Sequence, residues 1–185
     1  MTLDRKTDAS TDEARLFSDP LGWWYAEHER QRELFSRFEL LALAPDFDAA
    51  LTERLLVFLR EDFPNHIQEE EREWFPRLRM RARPDDDFAN ILTTVTKDHK
   101  EELIEMAKLF DPLQALCTAK SPLSQEQELS RAISDLAKRE RQHLAIENAI
   151  ILPIARLRLT PEDRLAVSHA IALRRGYTPP MDLTE

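Results

Sequence analysis

Six side chains in this 185-residue chain have the types and spacing to hold metal ions: His28, His66, Glu70, His99, His143 and Glu147. Four of them form two copies of one pattern, His66-Ile-Gln-Glu-Glu70 and His143-Leu-Ala-Ile-Glu147. A His and a Glu four residues apart sit one turn apart on the same helical face, close enough to serve one centre. Each copy meets a proline at the same distance, in Phe75-Pro76 and Leu152-Pro153, so the two segments read as repeats of one unit. A single His-x3-Glu is weak evidence in a chain with 20 glutamates, and a lone His on an apolar face is commonly a core residue. The set weighs differently. Four titratable rings in otherwise apolar seams would each need a buried partner, and one shared cation centre supplies them all.

Four imidazoles and two carboxylates allow two His per ion with both Glu bridging. An oxo or hydroxo bridge and an open position would complete each shell. Nitrogen and oxygen donors without sulfur suit iron, manganese or zinc. Cys117 is the only cysteine, which excludes an internal disulfide and a thiolate cluster.

The elements that must position these groups are helices. Gly22 and Gly176 are the only glycines, too few for a fold of many tight hairpins. Long runs of Leu, Ala, Glu, Arg and Gln favour helix instead. Asp19-Pro20 starts a helix reaching about Ala44, with Trp24, His28, Gln31, Phe35 and Phe38 on one face. A second helix runs from about Asp48 to Arg81 and carries His66 and Glu70; Pro64 and Pro76 are expected to kink or break it. A third carries Leu92, Val95, His99, Leu103 and Met106, with Pro112 disturbing its last turn. Ser124 with Gln127 resembles a capping box opening a fourth, through Ile133, Glu140, His143, Glu147 and Ile154. Thr160-Pro161 caps a short fifth helix that Gly176 stops.

The expected architecture is all-α: an up-down-up-down four-helix bundle over residues 19–157, with a short C-terminal helix over 158–176. Residues 1–18 are expected as a poorly ordered polar arm and 177–185 as a tail. A net charge of −9 disfavours nucleic-acid binding. The Arg77, Arg79, Arg81, Arg83 run reads as a helix end, since acids flank it on both sides. No stretch reaches the length of a membrane span, so a cytoplasmic setting without a membrane partner is expected.

The ordered set His28, His66-x3-Glu70 with Phe75-Pro76, His99, and His143-x3-Glu147 with Leu152-Pro153 resembles the hemerythrin-like proteins of the HHE cation-binding family, over roughly residues 19–157. The resemblance implies a non-haem di-iron site in a helical bundle that meets oxygen, peroxide, nitric oxide or iron itself. It also implies these six residues as ligands. Two departures matter. Oxygen-carrying members place a second His four residues after the third-helix one, where this chain has Leu103, and they end their ligand set with Asp where Glu147 stands. The six-ligand set looks more like proteins that repair iron–sulfur clusters under stress, and like iron-sensing domains. A binding or redox role towards a small ligand and a non-enzymatic role in iron sensing or storage therefore both remain open, with the redox partner undefined.

Around the set, Glu69, Glu71 and Glu73 read as a solvated face, and Tyr25 as an edge residue. Trp23 and Trp24 read as core and cap. Glu140 and Asp62 each precede a ligand His by one turn, as orienting groups or as surface acids. His169 reads as structural and Cys117 as inert.

Overall fold

The computed structural model describes residues 5–86 and 88–178, and every regular element among them is helical. Helix α1 (Arg5–Ser18) leads into α2 (Pro20–Leu43). Asp19 caps α2 by accepting from the Gly22 N–H at 3.0 Å, with Pro20 opening the first turn. A Cβ on Gly22 would run into the Asp19 carboxylate, so the cap depends on the missing side chain.

The second passage is one rod made of α3 (Ala49–Val57), a π turn (Phe58–Asp62), α4 (Phe63–Glu69), a second π turn (Glu70–Trp74) and α5 (Phe75–Arg81). Helix α6 (Phe88–Ala119) forms the third passage. The fourth joins α7 (Gln127–Ile146), a π turn (Glu147–Ile151) and α8 (Leu152–Arg158). Helix α9 (Pro161–Arg175) opens on a capping box between Thr160 and Asp163 and ends at Gly176 with φ 73°.

The π turns are what the prolines become. Pro76 has no N–H to donate and its ring pushes away the carbonyl four residues back, so the Phe75 N–H reaches five residues back to Glu70. Phe63 before Pro64 does the same to Phe58, and Leu152 before Pro153 to Glu147. The expected kinks are thus absorbed as π turns and the rods continue. Helix α6 also runs through Pro112 to Ala119 without a break.

Two apolar clusters form the core. One gathers Phe35, Phe38, Leu55, Phe58, Phe63, Met106 and Ile133, and the other Trp23, Trp24, Trp74, Phe75, Leu92 and Ile151. Each long passage runs from one cluster to the other, and the His and Glu layer lies where they meet.

Two expectations need correction. Of the arm expected over residues 1–18, Arg5–Ser18 form helix α1, while residues 1–4, like 179–185 of the expected tail, lie outside the described residues. Leu16 of α1 is fully buried, and the Leu16 carbonyl accepts from the Ser168 hydroxyl of α9 at 2.9 Å. Leu16 and its neighbour Phe17, which meets the His169 ring, suffice to dock this mostly polar segment because α9 offers a face to receive them. Ser124 does not cap the fourth passage. It sits in a 3-10 turn (Leu123–Gln125), and its hydroxyl donates to the Ala44 carbonyl at 2.6 Å, tying this loop to the end of α2.

Candidate metal centre

The six side chains converge. His66 lies in α4 and Glu70 opens the π turn that follows, with Glu70 Oε1 3.1 Å from His66 Nε2 and 3.2 Å from His28 Nε2. The other oxygen of Glu70 lies 3.3 Å from His99 Nε2. Glu147 mirrors this. Its Oε1 is 3.4 Å from His143 Nε2 and 3.8 Å from His99 Nε2, while Oε2 is 3.6 Å from His28 Nε2. His28, His66, Glu70 and Glu147 offer ligand atoms within 4.8 Å of one another, and so do His99, His143 and Glu147. Each carboxylate therefore lies within 4 Å of histidines from both imidazole pairs.

Burial makes this costly without a cation. Both Glu are fully buried, and Glu70 Oε2, Glu147 Oε1 and Glu147 Oε2 find no hydrogen bond. Burial works against the charge on His28, Glu70, His99 and His143, yet attraction to the facing groups wins at each. It holds Glu70 well below the usual carboxylate range through His66, His28 and His99. Burial lowers His99 and His143, but the facing acids overcome it and lift them to about 11 and about 9. Buried acids and imidazoles with unfilled valences, all pointing inward and free of sulfur, fit divalent or trivalent iron, manganese or zinc.

A family model for the hemerythrin HHE cation-binding domain matches residues 19–155. The chain belongs to that family. No curated protein and no solved structure matches it.

In this hemerythrin-family chain, the surroundings of the six add what spacing alone did not reveal. The residue after each of these two glutamates orients a histidine of the opposite repeat. His28 Nδ1 lies 2.6 Å from Asn148 Oδ1, and His99 Nδ1 lies 2.9 Å from Glu71 Oε1. An Nδ1–H donated outward leaves Nε2 free to face the centre. Glu71 is therefore an orienting group and not solvated surface. Asn148 stands at the equivalent place in the second repeat, a signal the alignment of the two His-x3-Glu units could have supplied.

Trp24 is more than core: its indole N–H donates to Glu70 Oε1 at 2.9 Å, and its ring stacks on Trp74 at 4.7 Å and 6°. Phe75 stacks on His99. Glu69 is also buried, held by two bonds from Arg175 at 2.7 and 2.8 Å, while that guanidinium lies over the Trp23 ring. Glu73 pairs with Arg174.

Of the undecided neighbours, Asp62 pairs with Arg54. Glu140 is fully buried, and neither of its oxygens has a partner. Burial and the nearby Glu102 push its carboxyl well above the ordinary range. Tyr25 is exposed at the edge. His169 packs its ring against Phe17, and Cys117 is half-buried against the first cluster.

The repeat extends beyond the ligands. The spacing that separates His66 from His143 also separates Arg81 from Arg158 and Asp86 from Asp163. Arg81 reaches Asp163 at 2.8 and 3.2 Å, and Arg158 reaches Asp86 at 3.0 and 2.7 Å. The two repeats thus fasten one another by exchanged arginine–aspartate pairs.

Proposed function

We propose that this chain is a non-haem di-iron protein of up-down-up-down four-helix form. Its His28, His66, Glu70, His99, His143 and Glu147 would hold two ions and admit one small ligand, either oxygen, peroxide or nitric oxide. One observation carries the reading: each of two fully buried carboxylates spans both imidazole pairs. The alternation of the four passages between the same two apolar clusters supports the bundle topology.

When bound, such a pair of ions supplies one-electron chemistry and an open coordination position. The chain's own work is to hold and shield them. Asn148 and Glu71 fix two rings, Trp24 holds one oxygen of Glu70, and the tryptophan and phenylalanine walls exclude water. Position 103, one turn after His99, is Leu103 packed against the first cluster, so α6 contributes a single imidazole at this face. Sampling or consuming a small oxidant fits this set better than reversible oxygen carriage. A cytoplasmic role in stress response, including iron–sulfur cluster repair, is the setting we favour. Among the described residues no helix is long and apolar enough to cross a membrane.

The test is elemental analysis of the purified protein with its absorption spectrum. Iron near two per chain, with a charge-transfer band that changes on adding dithionite, peroxide or nitric oxide, supports the proposal. A colourless, metal-free protein overturns it. The alternative reading, iron sensing or storage without turnover, draws on the cost of burying these acids unfilled. It expects a large chelator-dependent fall in melting temperature with no oxidant consumed.

A further inference from the structure

The two repeats differ at one buried position in a way the fold does not require. Phe63 lies three residues before His66 and is a buried member of the first apolar cluster. Its counterpart, three residues before His143, is Glu140, equally buried and with both oxygens unpartnered. A fold that accepts Phe in one repeat gains nothing structural from an unpaired carboxylate in the other.

Beside Glu140 lies a second such acid. Glu102 of α6 is 7% exposed, its Oε1 is 3.6 Å from His143 Nδ1, and its Oε2 has no partner. Glu102 and His143 both line a groove of about 450 Å³ between α6 and α7 that opens to solvent. Asp98, Glu101 and Glu105 stand along the same groove; Arg139, the one arginine or lysine among the lining residues, pairs with Glu105, and Lys97 pairs with Glu101. Ile91, Val95, Ile146 and Ile150 form the groove's apolar walls, with Thr94 and Gln142 among them, so Asp98 and Glu102 are the carboxylates a passing charge would meet. The ligands of the first repeat, by contrast, line neither this groove nor the shallow one beside Arg141.

We propose that the α6–α7 groove is the route by which divalent cations reach the centre, with Glu102 and Glu140 as the inner carboxylates that exchange an ion's water for protein oxygen before it meets His143. The proposal rests on the two-metal reading. It concerns loading, so its readout is a rate of uptake and not activity. An acidic mouth raises the local cation concentration and loses that advantage in salt. The inner acids lower the cost of stripping water in a narrow apolar space.

The experiment mixes the metal-free full-length chain with cobalt(II) in a stopped-flow spectrometer and follows the d–d absorption. Glu140→Gln, and separately Thr94→Arg at the exposed groove wall, should slow association about tenfold while the cobalt finally bound stays unchanged. Glu128→Gln, on the first turn of α7 and about 20 Å along the helix from His143, should leave the rate alone. Added salt should slow the native chain more than Thr94→Arg. Should Glu140→Gln fail to fold, Thr94→Arg alone decides. Unchanged rates with full binding overturn the route and leave the two-metal reading standing. A reduced final amount at an unchanged rate makes Glu140 part of a resident site and overturns it too. A native chain that takes up no cobalt removes both.

Discussion

The two repeats of this chain carry the same ligand pattern in different surroundings. In the first, His66 and Glu70 are sealed: Trp24 bonds Glu70, Trp74 stacks behind it, and Phe63 fills the space one turn before His66. In the second, the positions of Phe63, Trp74 and Trp24 hold Glu140, Ile151 and Val95. Glu147 keeps both oxygens unpartnered, and His143 faces a groove. A pseudo-symmetric scaffold can thus divide its labour. One half anchors the centre, and the other leaves it approachable.

The largest expected effect tests whether the halves share their ions. Because each carboxylate spans both imidazole pairs, Glu70→Ala or Glu147→Ala should remove nearly all metal, whereas His143→Ala should leave about one ion per chain held by the sealed half. Elemental analysis after desalting reads the difference. Equal losses from all three variants would erase the distinction between the halves.

Next comes the anchoring of the sealed half. Arg175→Met strips Glu69 of its two bonds and leaves a buried charge unpaired. Chemical denaturation should show a loss of about 3 kcal/mol, the scale for breaking one side of a buried pair. Trp24→Phe keeps the apolar stack but removes the donor to Glu70. It should cost about 1.5 kcal/mol in the metal-free protein. The nearest test in the open half, Val95→Ile, alters no polar group around Glu147 and should move stability by less.

The smallest effect concerns the exchanged arginine pairs, where the halves agree. Arg158 and the Arg83 N–H hold the Asp86 carboxyl down from 3.8 to about 2. A carboxylate with a lowered folded value stabilises fully above its unfolded value, and that contribution is lost as pH falls through the folded one. Asp86→Asn should therefore be slightly less stable than the native chain above about pH 4 and indistinguishable from it below about pH 2. Acid titration followed by circular dichroism checks this.

The convergence of the six side chains was legible because helical periodicity places His28, His66, His99 and His143 in apolar seams, where each needs a buried partner. The helices were legible from the same periodicity and from Asp19-Pro20 and Thr160-Pro161. What stayed hidden depended on contacts between distant segments. Leu16 and Phe17 on a polar segment do not announce that α1 docks on α9, and the Glu71 and Asn148 bonds join residues of opposite repeats. Pro64 and Pro76 signalled disruption, but a local rule does not say that a rod packed along its length takes up a π turn in place of breaking. Glu140 was visible as an acid on the His143 face. Its isolation needed the packed structure.

X-ray absorption at the iron edge of the loaded protein tests directly whether two ions share Glu70 and Glu147. It should show nitrogen and oxygen neighbours, no sulfur, and a second iron at about 3.5 Å. A spectrum with no iron neighbour in protein that holds its metal would contradict the shared-carboxylate centre.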